Sequence, residues 1–265
     1  MGERVLAGGW DRDVREADGI VYRSPGPNSA TVIALLRHLE RVGFDAAPRV
    51  AGTGFGSDGR ETLVYIEGET DHVRVWDDDA LVRIGRLLRE LHEATATFDA
   101  PVDAHWRPWF ARDLPGDRPV LGHGDLGPWN IVARDEQPVA FIDWDDAGPV
   151  DALWELAQVA WLNVQLHDDD VAERNRLPAL VTRAQQLRLL VDAYGLERGA
   201  REGFVDRMIE FAVHSARDEA IICGVTPDTT AGVDETGFPV TWAITWRVRA
   251  ASWLMTHRGT LQRAL

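Results

Sequence analysis

Two hydrophobic periods divide the chain. Up to residue 66, apolar positions fall in short runs broken by turns, RVLAGG, DRDVRE, ADGIVYR and RETLVYI, which predict the strands of a small sheet. Within that region residues 27–44 set Val32, Ile33, Leu35, Leu36, Leu39 and Val42 at helical spacing, with Asn28 or Ser29 as N-cap and Gly43 closing the segment. One helix packed on a twisted sheet follows. Residues 67–75 are polar and contain glycine, as a connector would. Beyond them Asp77, Asp78 and Asp79 precede a face of Leu81, Ile84, Leu87, Leu88 and Leu91, so acids stand at a helix N-terminus. From Pro149 the period is helical over 151–167, 177–194, 204–224 and 240–257, with acidic or Gly-, Pro- and Thr-rich loops at 167–175 and 225–239. The order predicts an α+β chain of two lobes: a β-rich lobe over 1–66, a linker over 67–75 and a larger, mainly helical lobe over 76–265.

The head of the second lobe breaks this pattern. PVLGHGDLGPWNIVAR and QPVAFIDWDDAG predict two short strands bracketing a turn at Asp135 and Glu136, a hairpin that brings Asp125, Asn130 and Asp143 towards one end. Phosphoryl transfer asks for an aimed hydroxyl and for oxygen ligands that hold Mg²⁺ between phosphates. An Asp, an Asn five residues later and an Asp ending an apolar strand supply one base and two such ligands.

Composition narrows the partners. Of 265 residues, 45% are hydrophobic and 27% charged, which argues for a well-packed chain without long disorder. No apolar run has the length of a membrane span and the first residues lack a secretion signal, so a cytoplasmic protein is expected. A single cysteine, Cys223, excludes an intrachain disulfide, and its surroundings AIICGV predict a buried thiol. The net charge of -15 disfavours nucleic acid and anionic membranes and favours a cationic partner. The chain contains no lysine.

HGDLGPWN followed by FIDWDDAGP resembles the His-Gly-Asp-x4-Asn and Ile-Asp-Trp-Asp/Glu pair of the aminoglycoside phosphotransferase family, within the protein-kinase-like superfamily. The resemblance implies a bilobal kinase-like fold, ATP or GTP with Mg²⁺ as cofactors, and transfer of the γ-phosphate to a hydroxyl of a small acceptor such as an aminoglycoside or an amino alcohol. By the same resemblance Asp125 is the catalytic base, Asn130 and Asp143 bind Mg²⁺ and His123 buttresses the loop. Asp145 stands either near a second metal or hydrogen-bonded to the loop. LVYIEGE resembles the strand and hinge that reach adenine through backbone groups, here Tyr65, Ile66, Glu67 and Gly68. In LAGGWDRDV, Gly8 and Gly9 take the place of the turn over the phosphates. GPVDALWELAQ resembles the segment after the metal-binding Asp, with Glu155 where Asp is commoner.

Two departures stand out. The lysine that such enzymes set against the α and β phosphates falls on GIVYRSPG, where Arg23 is the candidate. The helix at 29–39 has no acid before Glu40, so the usual glutamate brace is expected to be missing. On the acceptor side Asp168, Asp169, Asp170, Asp206, Glu210, Asp218, Glu219, Asp234 and Glu235 can neutralise an amino sugar or simply form solvated helix faces. Trp129 and Trp161 can stack on a sugar or pack the core. The alternative to an enzyme is a catalytically silent protein that binds a nucleotide or a partner.

Overall fold

A computed structural model describes residues 3–6, 14–234 and 237–265. The N-terminal part is an antiparallel sheet of β1 (Arg4–Val5), β2 (Val14–Ala17), β3 (Ile20–Arg23), β4 (Val50–Phe55) and β5 (Glu61–Val64) in the order β1-β2-β3-β5-β4. The sequence pattern omits β4 because VAGTGF carries two glycines. Both have positive φ, 57° at Gly52 and 92° at Gly54, and a Cβ on Gly54 would stand 2.8 Å from Ile33 Cγ2. Glycine there lets the helix α1 (Ser29–Arg41) lie close against the sheet, burying Val32, Leu35, Leu36 and Leu39.

Asn28 precedes α1 but does not cap it; its Nδ2 donates instead to the Asp145 carbonyl (2.7 Å). His38 of α1 bonds the Ala94 carbonyl (2.9 Å). The helix α2 (Asp78–Thr95) begins where the acids predict, with Asp77 accepting from the Ala80 N–H (2.7 Å), and it runs along α5 (Leu180–Tyr194).

The loop-rich head of the helical part contains β6 (Pro119–Gly122), β7 (Ile131–Arg134), β8 (Gln137–Phe141) and β9 (Gly148–Asp151). β7 and β8 form the expected hairpin, whose two turn residues Asp135 and Glu136 sit at φ 50° and 60°, the left-handed pair that matches strand twist. β6 pairs with β9 from Pro119↔Asp151 to Gly122↔Gly148. Residues 123–130 and 142–147 therefore leave two ladders on adjoining ends, which is how the site is assembled.

The helix α3 (Ala152–Asn163) is buried on every face and starts from an Asp151 cap whose carboxylate accepts from the Leu153 N–H (2.9 Å). It stops four residues short of the predicted end. A short α4 (Asp169–Arg174) occupies the segment predicted as loop; α6 (Phe204–Ile222) and α7 (Val240–Ala264) complete the fold. The apolar core is continuous from α1 through α2 to α3, α6 and α7. Cys223 departs from expectation: it is half-buried, bonded to Glu219 (3.6 Å), and its neighbours Ile221 and Ile222 are exposed. Among the described residues no helix is long and apolar enough to cross a membrane.

Candidate active site

The loop after β6 is shaped by a buried acid. A Cβ on Gly122 would lie 2.1 Å from the Glu155 carboxylate, and one on Gly124, at φ 86°, would lie 2.2 Å from the Asp146 carbonyl. These contacts require glycine. Glu155 Oε1 accepts from the His123 N–H (2.6 Å) and the Gly124 N–H (2.8 Å), while Oε2 meets His92 Nε2 (2.6 Å), whose Nδ1 meets the Tyr194 hydroxyl (2.9 Å). Burial pushes this carboxyl up, but His92, the Gly124 N–H and His123 outweigh burial and hold it below the usual range.

His123 is fully buried, which lowers its pKa to about 4 and keeps the ring neutral. Its Nε2 donates to the Ile142 carbonyl (2.9 Å), leaving Nδ1 to accept from the Asp125 N–H (3.3 Å). The ring thus joins the 123–130 loop to the strand end before Asp143. Asp125 Oδ2 accepts from Trp129 Nε1 (3.0 Å) and Asn130 Nδ2 (2.8 Å). Burial raises Asp125 to about 7; Trp129 opposes the rise, Asp146 and Asp143 add to it, and Arg247 of α7 pulls it back. Arg247 is fixed by Ser215 Oγ (2.9 Å) and Glu219 (3.0 Å).

Asp143 sits at φ 61° and ψ 70°, a left-handed conformation, with its carboxylate half exposed. Arg23 meets it. This buried guanidinium pairs with Glu61, with Asp143 (3.3 Å) and with Asp145 (2.9 Å). The helix contributes no acid to Arg23; Glu61 on β5 pairs with it instead, directly opposite Arg23 in the β3–β5 register, and Ser29 Oγ at the start of α1 donates to the same carboxylate. Asp145 joins this ring through its side chain and receives Asn28 through its carbonyl.

The residues expected to form the hinge follow β5. Tyr65 N–H donates to the Gly19 carbonyl (2.8 Å) and the Glu67 carbonyl accepts from Arg134 (3.0 Å). Gly68, at φ 149°, packs so closely on the next hairpin that a Cβ would stand 2.5 Å from the Ala133 carbonyl oxygen. Ile66 and Gly68 make no backbone hydrogen bond among the described residues outside strands and helices. Gly8 and Gly9 lie outside the described residues.

The donor set fits Mg²⁺ held jointly with phosphates. Asn130 commits Nδ2 to Asp125, and its Oδ1 takes no hydrogen bond among the described residues; the Asp143 carboxylate is open to solvent on one side. Among the described residues no three His, Cys, Asp or Glu side chains gather as a metal cage. Sequence reasoning missed Glu61, the His92–Glu155 support and Arg112, whose guanidinium donates to the Asp146 (2.9 Å) and Ala147 (3.1 Å) carbonyls. Only strand order or a solved contact could have revealed them.

Residues 98–200 match the model of the phosphotransferase enzyme family (APH). Over 263 residues the chain is 52% identical to a trifolitoxin immunity protein of Rhizobium leguminosarum bv. trifolii, covering 99% of this chain and 98% of that one. The chain belongs to the phosphotransferase enzyme family. By that membership it is a small-molecule kinase. Solved structures agree on the α+β, kinase-like fold: a choline/ethanolamine kinase family protein from Mesorhizobium loti superposes with a TM-score of 0.63 at 17% identity, covering 100% of this chain and 92% of that one. The amicoumacin kinase in complex with AMP-PNP, Ca²⁺ and Ami gives 0.65 at 11%, covering 94% and 88%. A spectinomycin phosphotransferase with ADP gives 0.64 at 10%, covering 99% and 93%.

Proposed function

We propose that this phosphotransferase uses ATP or GTP with Mg²⁺ to phosphorylate a hydroxyl of a small antibacterial molecule. Residues 1–66 would hold the nucleotide, 67–75 would form the hinge, and 76–265 would carry the catalytic loop and the acceptor. The observation that supports the reading is that Asn130 bonds Asp125, Arg23 pairs with Asp143, and the charge of Asp143 acts on Asp125.

In this reading Asp125 orients the acceptor hydroxyl and takes its proton, as its carboxylate is held by Trp129 and Asn130 and titrates near neutrality. Asn130 and Asp143 would hold Mg²⁺, which supplies charge neutralisation on the phosphates when bound. Arg23, steadied by Glu61, presents a fixed fork to the α and β phosphates. The backbone of Tyr65, Ile66, Glu67 and Gly68 would face the base. The immunity name of the 52% identical relative favours an antibacterial acceptor.

A silent binder is the second reading, favoured by the three carboxylates that already claim Arg23. Asp125→Asn separates them. It is expected to lower transfer by about 10²- to 10⁴-fold while leaving nucleotide affinity unchanged, read by turnover over an acceptor panel and by calorimetry. Wild-type binding without transfer to any acceptor would favour the silent protein.

A further inference from the structure

Where α3 ends, the chain turns through Gln165, at φ 52°, into His167. Arg183 of α5 holds that turn, its NH1 donating to the carbonyls of Gln165 (3.0 Å) and His167 (2.9 Å). Arg183 is 2% exposed, with its guanidinium 4.4 Å from the centre of the Trp253 ring. A permanent cation so deeply placed ordinarily has a carboxylate beside it. Here the acid whose field reaches it, Asp169, bonds Trp253 Nε1 (3.1 Å), and among the described residues Arg183 makes no ion pair.

Arg183 Nε is buried without an acceptor, and two neighbouring atoms share that condition: Nδ1 of His167 and Nε1 of Trp161, itself 1% exposed. Trp161 Nε1 and Arg183 Nε can only donate; His167, kept neutral by burial and by Arg183, donates from Nδ1 in one tautomer. Three N–H donors and one positive charge match an anionic oxygen pair; the acids whose fields reach them, Asp168 and Asp169, are bonded to Arg249 and to Trp253 instead.

The cluster is linked to Asp125 through Trp246 and Asn163. Trp161 stacks on Trp246 (5.1 Å, 27°) and His167 stands edge-on to the same ring (5.4 Å, 89°). Trp246 precedes Arg247, whose charge acts on Asp125, and Asn163, two residues after Trp161, donates to the Leu126 carbonyl (2.8 Å) beside Asp125. Four of the acids open to a cationic acceptor are already paired with arginine: Asp168 and Asp170 with Arg249, Asp206 with Arg258 and Glu219 with Arg247.

We infer that Trp161, His167 and Arg183 form a carboxylate-binding subsite, and that the acceptor phosphorylated in this cleft carries a carboxylate as well as its hydroxyl. The second clause rests on the phosphotransferase reading above; the first does not. The acceptor is then closer to a hydroxyl-bearing peptide or hydroxy acid than to a polycationic amino sugar.

The test titrates the full chain with acetate and with inorganic phosphate while following tryptophan fluorescence, then compares a serine-containing peptide bearing a free C-terminal carboxylate with its C-terminal amide as acceptors. Acetate is expected to perturb the fluorescence saturably, about tenfold more weakly in Arg183→Met. His167→Phe, at the half-buried edge, gives the same comparison should the arginine variant fail to fold. An acetate-insensitive wild type, an unchanged response in both variants, or a preference for phosphate would overturn the subsite. Equal transfer to peptide and amide would overturn its role in acceptor choice. Acetate binding without transfer to any acceptor would leave the subsite standing and remove the phosphotransferase reading.

Discussion

Arg23 and Arg183 are both buried, one in the sheet and one in the helical part, yet they are accommodated by opposite means. Arg23 stands among three carboxylates drawn from β5 and from the turn after β8. Arg183 meets two backbone carbonyls and an indole face. A paired cation fixes the acids around it, so Arg23 sets where Asp143 and Asp145 point before any nucleotide arrives. An unpaired one is itself the unsatisfied group, and its surroundings select what approaches. Burial alone therefore says little about an arginine's task; the identity of its partners decides it.

The largest effect that would sharpen this contrast is expected from Glu61→Ala. Removing one partner leaves a buried guanidinium undercompensated, and unfolding in denaturant should show a loss of about 3–5 kcal/mol. Nucleotide affinity should fall with it, because Asp143 and Arg23 lose their common reference. Arg23→Lys comes next. A point charge on a flexible stem cannot span three carboxylates, so calorimetry should show weaker Mg²⁺-dependent nucleotide binding with most of the stability retained.

Arg183→Met should destabilise less, by about 1–2 kcal/mol for two carbonyl bonds and one ring contact. A loss as large as that of Glu61→Ala would erase the distinction.

Acid tests both regions at once. His123 and His167 fold with pKa values near 4, below their ordinary 6.5, so the folded chain binds fewer protons than the unfolded one in that interval. Stability is expected to be full above about 6.5 and to fall as pH drops towards 4. Glu155, held below its ordinary value, adds to the same decline at the acidic end. Asp125, raised from 3.8 to about 7, gains stability as pH falls through the same interval and opposes the decline, so melting temperature against pH is read in Asp125→Asn, where a flat profile between 6.5 and 4 would contradict the neutral burial of both rings. Transfer should rise with pH through about 7, as Asp125 loses its proton.

The long amphipathic segments were legible because their period is local: α2, α5 and α6 start within a few residues of where the apolar faces predict. The hairpin around Asp135 and Glu136 was legible for the same reason. β4 was not, because close approach to Ile33 selects glycines that read as turn. The candidate residues Asp125, Asn130 and Asp143 are near in sequence and carry a strong pattern. Their supports are not near. Glu61 lies 38 residues from Arg23 and Glu155 lies 63 from His92, so only the strand order and the helix packing reveal that they meet.

A guanidinium at the end of β3 has a consequence for detection as well. Reagents that mark nucleotide sites by acylating the amine next to the phosphates require an uncharged nucleophile, which arginine does not offer near neutral pH. With no lysine anywhere in the chain, this protein would escape chemoproteomic surveys built on that reaction, however tightly it holds its nucleotide.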